Sequence, residues 1–125
     1  PLVTVKSSCE KLSLKQSETS GIILSTYNKD YNYGTASNYY YSNDMECHWN
    51  LSSTTKLELT FFTFSTQMNA DYLYVYDGDS TSSPLVGRFS GTSLPNPITS
   101  SSNKLHVRFT SDGSVTSRGF RASYQ

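Results

Sequence analysis

The sequence predicts an all-β fold, either a sandwich or a barrel, on three observations. Apolar and polar residues alternate with a period of two in several short runs, and turn-forming residues separate these runs. No stretch carries the apolar stripe of an amphipathic helix. Because successive side chains of a strand point to opposite faces, such runs form sheets with one buried and one polar face. The absence of alternating strand and helix patterns excludes a parallel α/β fold.

Four runs show the alternation most clearly. Their apolar positions are Leu57, Leu59 and Phe61; Leu73 and Val75; Leu105, Val107 and Phe109; and Phe120, Ala122 and Tyr124. Tyr72, Tyr74 and Tyr76 are expected on the face opposite to Leu73 and Val75. Turn residues lie between the runs at 77–80, 91–97 and 112–114. With 125 residues and no internal repeat, the chain is predicted to form a single domain over residues 1–125.

The charge balance argues against several classes of partner. Ten Lys and Arg residues balance ten Asp and Glu residues, so the formal net charge is zero. Nucleic acids and anionic membranes both require a basic surface, which this composition does not provide. No apolar run approaches the roughly 20 residues that a transmembrane helix needs. We therefore expect no nucleic-acid partner and no transmembrane segment.

Cys9 and Cys47 are the two cysteines of the chain. An even number of cysteines in a chain rich in Ser, Thr and Tyr favours one disulfide and a secreted or extracellular location. Two buried free thiols are the alternative. Asn50 begins an Asn-Leu-Ser sequon, which predicts N-glycosylation, although such triplets also occur by chance.

The histidines do not form a catalytic or metal-binding sequence motif. His48 and His106 lack the spacing of zinc ligands, and no nucleophile motif accompanies them. We therefore predict a binding domain and not an enzyme.

The segment from Tyr27 to Tyr41 differs in composition from the predicted strands. It contains six of the ten tyrosines, mixed with Asn, Ser and Gly. Adaptable binding loops have this composition. The composition of this segment therefore predicts ligand contacts by five of its tyrosines, Tyr31, Tyr33, Tyr39, Tyr40 and Tyr41. The alternative is an extension that covers an edge of the sandwich.

Several short motifs follow one another in a specific order along the chain. They are Cys47-His48-Trp49, Asp77-Gly78 after an alternating strand, Ser111-Asp112-Gly113-Ser114, and Gly119-Phe120-Arg121-Ala122-Ser123-Tyr124. In this order they resemble the CUB domain family, and the resemblance runs from Cys9 to Tyr124. It implies a jelly-roll-like antiparallel β-sandwich that acts as an interaction module in secreted or cell-surface proteins. It also implies a disulfide between Cys9 and Cys47.

The chain departs from the family pattern in two places. The family's second disulfide is absent, because Met68 and Ser90 occupy the positions of its two cysteines. The stretch between Gly21 and Cys47 is about ten residues longer than the family pattern. This insertion coincides with the tyrosine-rich segment.

The resemblance also implies a Ca²⁺ site at one end of the sandwich. Its ligands would be Asp71, Asp112 and the backbone near Ser114, with Gln67 in the position of a family Glu. Ca²⁺ is held by six to eight oxygens, and a Gln keeps an oxygen while losing a charge. We therefore expect weaker calcium binding than in the family. The alternative is that both aspartates bond backbone N–H groups of the loops.

Three functions follow from these expectations. The first is a non-catalytic extracellular module that mediates protein–protein interaction, with Ca²⁺ ordering the end loops and Tyr41 close to the ion. The second is a carbohydrate-binding module that uses exposed tyrosines of the inserted segment or of the strand at 72–76. The third is a structural domain that self-associates through its tyrosines and serines, and the oligomeric state stays open.

Overall fold

Ten short strands and no helix form the part of the chain that the computed structural model describes, which is residues 4–7, 13–15, 20–25 and 40–125. The strands are β1 (Thr4–Ser7), β2 (Ser13–Lys15), β3 (Gly21–Leu24), β4 (Glu46–Ser52), β5 (Glu58–Ser65), β6 (Tyr72–Tyr76), β7 (Leu85–Phe89), β8 (Ile98–Thr99), β9 (Lys104–Thr110) and β10 (Gly119–Tyr124). None of the described segments is a helix that could span a membrane.

The strands form two five-stranded sheets. The first sheet has the order β1-β4-β9-β6-β7, and the second has the order β2-β3-β10-β5-β8. Neighbouring strands are antiparallel throughout both sheets. The prediction of an all-β antiparallel sandwich is therefore confirmed.

The core lies between the two sheets and includes all the apolar positions that the four alternating runs predicted, together with further residues such as Leu51 and Ile98. Leu73, Val75 and Val107 of the first sheet are fully buried. Trp49 is also fully buried, and its ring meets Phe120 of the second sheet edge-on, with 5.5 Å between the ring centroids. Burying each such side chain contributes about 1.5–3 kcal/mol.

Strand β5 departs from strict alternation because it contains a bulge. Residues of β10 pair with Thr63 on one side of the irregularity and with Phe61 on the other, which leaves Phe62 as the extra residue. The bulge lets both Phe61 and Phe64 enter the core, while Phe62 remains 47% exposed. Period two alone did not predict this bulge.

Three connections meet at one end of the sandwich: residues 40–45 before β4, residues 66–71 between β5 and β6, and residues 111–118 between β9 and β10. The Asp44 N–H donates to the Asp112 carbonyl at 2.8 Å, and the Tyr41 N–H donates to the Ser117 carbonyl at 3.1 Å. These bonds hold the first and third connections together. The predicted site residues Asp71 and Asp112 lie here.

Some predicted residues lie outside the described part of the chain. They are Cys9, Tyr31, Tyr33 and Tyr39. Cys47 is buried on β4, and its pairing with Cys9 stays a prediction.

Candidate functional site

Asp71 is the centre of a group that we call the end cluster. Its members are Tyr41, Gln67, Asp71, Asp112 and Ser114. The Asp71 side chain is fully buried. Its Oδ2 accepts a hydrogen bond from the Tyr41 hydroxyl at 2.5 Å, and its Oδ1 accepts one from the Asp112 N–H at 2.9 Å. One carboxylate therefore ties all three end connections together.

Tyr41 is a structural part of the end cluster and not an exposed ligand contact. Its side chain is 2% exposed, and its ring meets Phe109 edge-on at 5.0 Å. The hydroxyl oxygen accepts a bond from the Gln67 N–H at 3.1 Å. Burial and the bond to Asp71 raise the pKa of Tyr41 well above its ordinary value, so the phenol keeps its proton. The prediction that Tyr41 contacts a ligand from an exposed loop is corrected, because its ring is enclosed. Tyr40 is 50% exposed.

Gln67 brings an unsatisfied oxygen to the end cluster. Its Oε1 is shielded from solvent and has no hydrogen-bond partner within the described residues. Its backbone carbonyl accepts bonds from the Ala70 and Asp71 N–H groups at 3.3 and 3.1 Å. A shielded acceptor without a donor costs about 1–3 kcal/mol. An unpartnered oxygen in the same connection as the Asp71 carboxylate is a candidate ligand for a cation.

The connection between β9 and β10 is shaped by Asp112. Its Oδ1 accepts a bond from the Ser114 N–H at 3.2 Å, which is the geometry of an Asx turn. The next residue, Val115, has a φ of 44°, an unfavourable conformation for a β-branched residue. Ser114, the predicted backbone ligand, is an exposed residue of this loop.

Asp44 is a neighbouring acidic residue that the sequence did not point to. Its Oδ1 lies 3.6 Å from the place that a Cβ at Gly113 would take. Its φ of 57° fits an Asp in a turn, and the only sequence signal was the turn-forming Asn43-Asp44 pair. Asp44 adds negative charge beside the Asp112 loop.

The end cluster fits calcium in the type of its ligands. Asp71 and Asp112 supply carboxylates and Gln67 supplies an amide oxygen, and Ca²⁺ prefers such oxygens. Among the described residues, no group of three or more His, Cys, Asp or Glu side chains is arranged to hold a metal. The bonds from both aspartates to backbone N–H groups agree with the loop-capping alternative. Calcium binding and loop capping are compatible, because a carboxylate oxygen that accepts one hydrogen bond has a second lone pair.

The outer surface of the first sheet carries a second cluster, which we call the tyrosine face. Its members are Glu46, His48, Asn50, Tyr72, Tyr74, Tyr76, Arg88, His106 and Arg108. The strand register places Arg88, Tyr74, Arg108 and His48 in one row across β7, β6, β9 and β4. Since Leu73 and Val75 are buried in the core, the three tyrosines occupy the opposite face, as predicted.

Guanidinium groups cover two of these tyrosines. Arg88 lies 4.5 Å from the ring centroid of Tyr72, and Arg108 lies 4.9 Å from that of Tyr74. The Nε and Nη2 of Arg108 also donate to Glu46 at 2.7 and 2.9 Å, and this pairing lowers the pKa of the Glu46 carboxyl. The guanidinium of Arg108 therefore already has two partners, the ring of Tyr74 and the carboxylate of Glu46.

The two histidines meet on the tyrosine face although 58 residues separate them. His48 Nδ1 lies 2.8 Å from His106 Nε2, and His106 Nδ1 lies 2.5 Å from Asn50 Oδ1. His48 Nε2 lies 2.7 Å from Glu46 Oε2. Burial lowers the pKa of His106, and the adjacent His48 lowers it further. Asn50 is exposed, and its glycosylation stays a prediction.

Comparison with known proteins agrees with this architecture. A model of the CUB domain family matches residues 13–124. The chain belongs to the CUB domain family. Tolloid-like protein 1 from Homo sapiens is 37% identical over 90 residues, which cover 67% of this chain and 9% of that protein. Cubilin from Canis lupus familiaris is 41% identical over 91 residues, which cover 67% of this chain and 2% of that protein.

A solved structure shares the same fold. The CUB2 domain of MASP-1 bound to Ca²⁺ is similar with a TM-score of 0.66 and 24% identity, covering 87% of this chain and 94% of that one. CUB domains are in general extracellular modules for protein interaction. This CUB domain spans less than a tenth of the length of Tolloid-like protein 1 or cubilin.

Proposed function

We propose that this CUB domain is a non-catalytic extracellular module for protein interaction, and that Ca²⁺ at the end cluster orders the loops that contact the partner. The observations that carry the proposal are the shielded Gln67 Oε1, which has no donor among the described residues, and the buried carboxylate of Asp71 in the same connection. Two carboxylates and one amide oxygen would hold the ion. Its charge would offset the repulsion among the acidic groups.

The partner would present a basic side chain to this end. Asp44 and Asp112 lie on loops at the surface, and their negative charge favours a Lys or Arg. With the loops fixed by the ion, less conformational freedom is lost when the partner binds. Calcium would therefore strengthen binding without a catalytic step.

Thermal unfolding with and without calcium tests the proposal. A missing carboxylate predicts a Kd on the order of 1 mM, at the weak end of extracellular calcium modules. At about 10 mM Ca²⁺, such binding stabilises the native state by about 1.4 kcal/mol. The unfolding midpoint should rise by about 5 °C relative to the domain in EDTA. Mg²⁺ should have a smaller effect, because it gives up its water less readily.

The Gln67→Glu variant makes this test sharper. A third carboxylate should tighten calcium binding by about tenfold, and it should destabilise the calcium-free domain by adding a shielded negative charge to the connection that carries Asp71. Asn69→Asp is the matched control, since it makes the same amide-to-carboxylate change in the same loop at an exposed position. If neither the native domain nor Gln67→Glu responds to calcium, the end cluster is only a loop-capping network.

Carbohydrate binding is the second candidate. Tyr40 supports it, because this residue of the tyrosine-rich segment is 50% exposed. The strand tyrosines support it less, since guanidinium groups already lie over the rings of Tyr72 and Tyr74. A glycan array with the native domain and Tyr40→Ala tests this candidate. If glycan binding is unaffected by the substitution, the glycan site does not include Tyr40.

A further inference from the structure

We propose that the β7 side of the tyrosine face binds an acidic polypeptide segment, with Arg88 as the anchor. We call this surface the Arg88 patch, and its members are Tyr72, Tyr74, Leu85, Val86 and Arg88. It lies on the outer sheet surface and does not use the oxygen ligands of the end cluster. The inference therefore goes beyond the proposed calcium-assisted function.

Arg88 is a cation held in place without a carboxylate. Its side chain is exposed, and its guanidinium lies 4.5 Å from the ring centroid of Tyr72. No acidic side chain of the described residues lies within ion-pair distance of it. Arg108, in the same row, is instead bonded twice to Glu46. A guanidinium stacked on a ring leaves its N–H edge free for the paired bonds that a carboxylate accepts.

The strand that carries this cation also carries two exposed aliphatic side chains. Leu85 is 53% exposed and Val86 is 47% exposed. Both belong to β7, which is the last strand of the first sheet among the described residues. Leu85 is the cross-strand partner of Tyr76, so its side chain shares the outer face. Arg and Tyr beside exposed aliphatic groups are typical of the central residues of protein interfaces.

The arrangement favours a polypeptide over a sugar. Sugar rings stack on open aromatic faces, and the faces of Tyr72 and Tyr74 are covered by Arg88 and Arg108. Leu85 and Val86 offer apolar contact without hydrogen bonds. The matching partner is an acidic segment with an apolar residue close to its Asp or Glu.

The sign of the charge separates this patch from the end cluster. Glu46 is engaged by Arg108, and no acidic side chain in the described part of the chain forms an ion pair with Arg88. The end cluster, with Asp71 and Asp112, attracts basic groups instead. Two partners of opposite charge would therefore bind the two surfaces.

Selection from a random peptide display library on the purified domain tests the inference. Enriched peptides should combine Asp or Glu with apolar residues. Arg88→Ala should weaken their binding by about tenfold, as expected for an interface anchor, and Arg88→Glu should weaken it more. Arg118→Ala is the matched control, because it removes another exposed guanidinium outside the patch. Binding should persist in EDTA, which distinguishes it from the calcium-assisted function.

Three outcomes would overturn the inference. The first is enrichment of peptides without acidic residues, and the second is equal binding by the native domain and Arg88→Ala. The third is binding of a sulfated oligosaccharide that depends on Arg88 while no peptide is enriched, which would assign the patch to an anionic glycan. Because Arg88 is exposed, its variants should keep the native unfolding midpoint, and this confirms that any lost binding is local.

Discussion

The end cluster and the tyrosine face are both polar, but the central charged group of the first is buried, whereas Arg88 on the second is exposed to solvent. Asp71 at the end is fully buried, and its two oxygens are bonded to groups of other connections. On the tyrosine face, Arg88 is exposed and rests on a ring of the neighbouring strand. The first arrangement joins pieces of the fold, and the second presents a charge to solvent.

This difference separates stability from recognition. Removing a buried carboxylate that accepts hydrogen bonds from two other connections leaves their donors unsatisfied, which lowers the stability of the fold. An exposed guanidinium on a sheet can be changed at little cost to the fold, because water solvates whatever replaces it. Substitutions of the buried groups at the end should therefore alter both folding and ligand response, whereas substitution of the exposed Arg88 on the face should alter binding alone.

Asp71→Ala is expected to have the largest effect. It leaves the Tyr41 hydroxyl and the Asp112 N–H without acceptors in a buried place, which should cost about 4 kcal/mol of unfolding free energy. Denaturation in urea measures this. Arg88→Ala should cost less than about 0.5 kcal/mol in the same experiment. Comparable losses for the two variants would show that the two regions do not differ in this way.

A double substitution of Met68 and Ser90 to Cys should have the next largest effect, and in the opposite direction. The Ser90 hydroxyl donates to the Met68 sulfur at 3.6 Å, so the two side chains already touch where the family has its second disulfide. A bridge here would close a short loop and stabilise the fold by about 3 kcal/mol. It would also hold the connection that carries Gln67 and Asp71.

Mass spectrometry and urea denaturation, before and after reduction, measure this effect. Met68→Cys and Ser90→Cys alone are the controls, since neither can form the bridge within one chain. Two free thiols in the oxidised double variant would show that the side chains cannot reach bonding geometry.

The smallest predicted effect is a loss of stability at acidic pH. The pKa of His106 is lowered in the folded protein by burial and by His48, so the unfolded chain binds a proton there more readily. Stability should therefore fall as the pH drops below about 6.5, the ordinary value for His. Asp and Glu ordinarily titrate near pH 4, so between pH 7 and about pH 5.5 this loss comes from the tyrosine face.

Unfolding free energies at pH 7 and pH 5.5 measure the acid effect. His106→Asn should flatten the dependence, although it also removes the contact with His48. An unchanged slope in the variant would assign the acid sensitivity to another group. The charged groups around His106 that bear on this are His48, Arg108 and Asp79.

The sequence predicted the sandwich because alternation is a local property. Leu73 and Val75 are buried while Tyr72 and Tyr74 lie on the outer face, as the period of two requires. The β5 bulge was not predictable in this way, since it depends on how Phe61 and Phe64 both find space in the core. Packing of one sheet against the other decides such details.

The candidate site was predictable only in part. Asp71, Asp112 and Gln67 were found through the resemblance to CUB domains, and Asp71 and Asp112 meet in the structure. The sequence did not predict that Tyr41 is buried, because a tyrosine at the end of a polar stretch carries no local signal of its distant partner Asp71. The stacking of Arg88 on Tyr72 depends on cross-strand register, which alternation does not specify.

Trp49 has a practical consequence for every experiment above. It is the single tryptophan of the chain and lies fully buried between the sheets, whereas Tyr72 and Tyr74 of the outer face are only partly buried. Because a peptide on the outer face would not touch the buried indole, its fluorescence reports the packing of the two sheets against each other. The domain therefore carries its own optical probe of the core, which shows whether a variant that has lost binding is still folded.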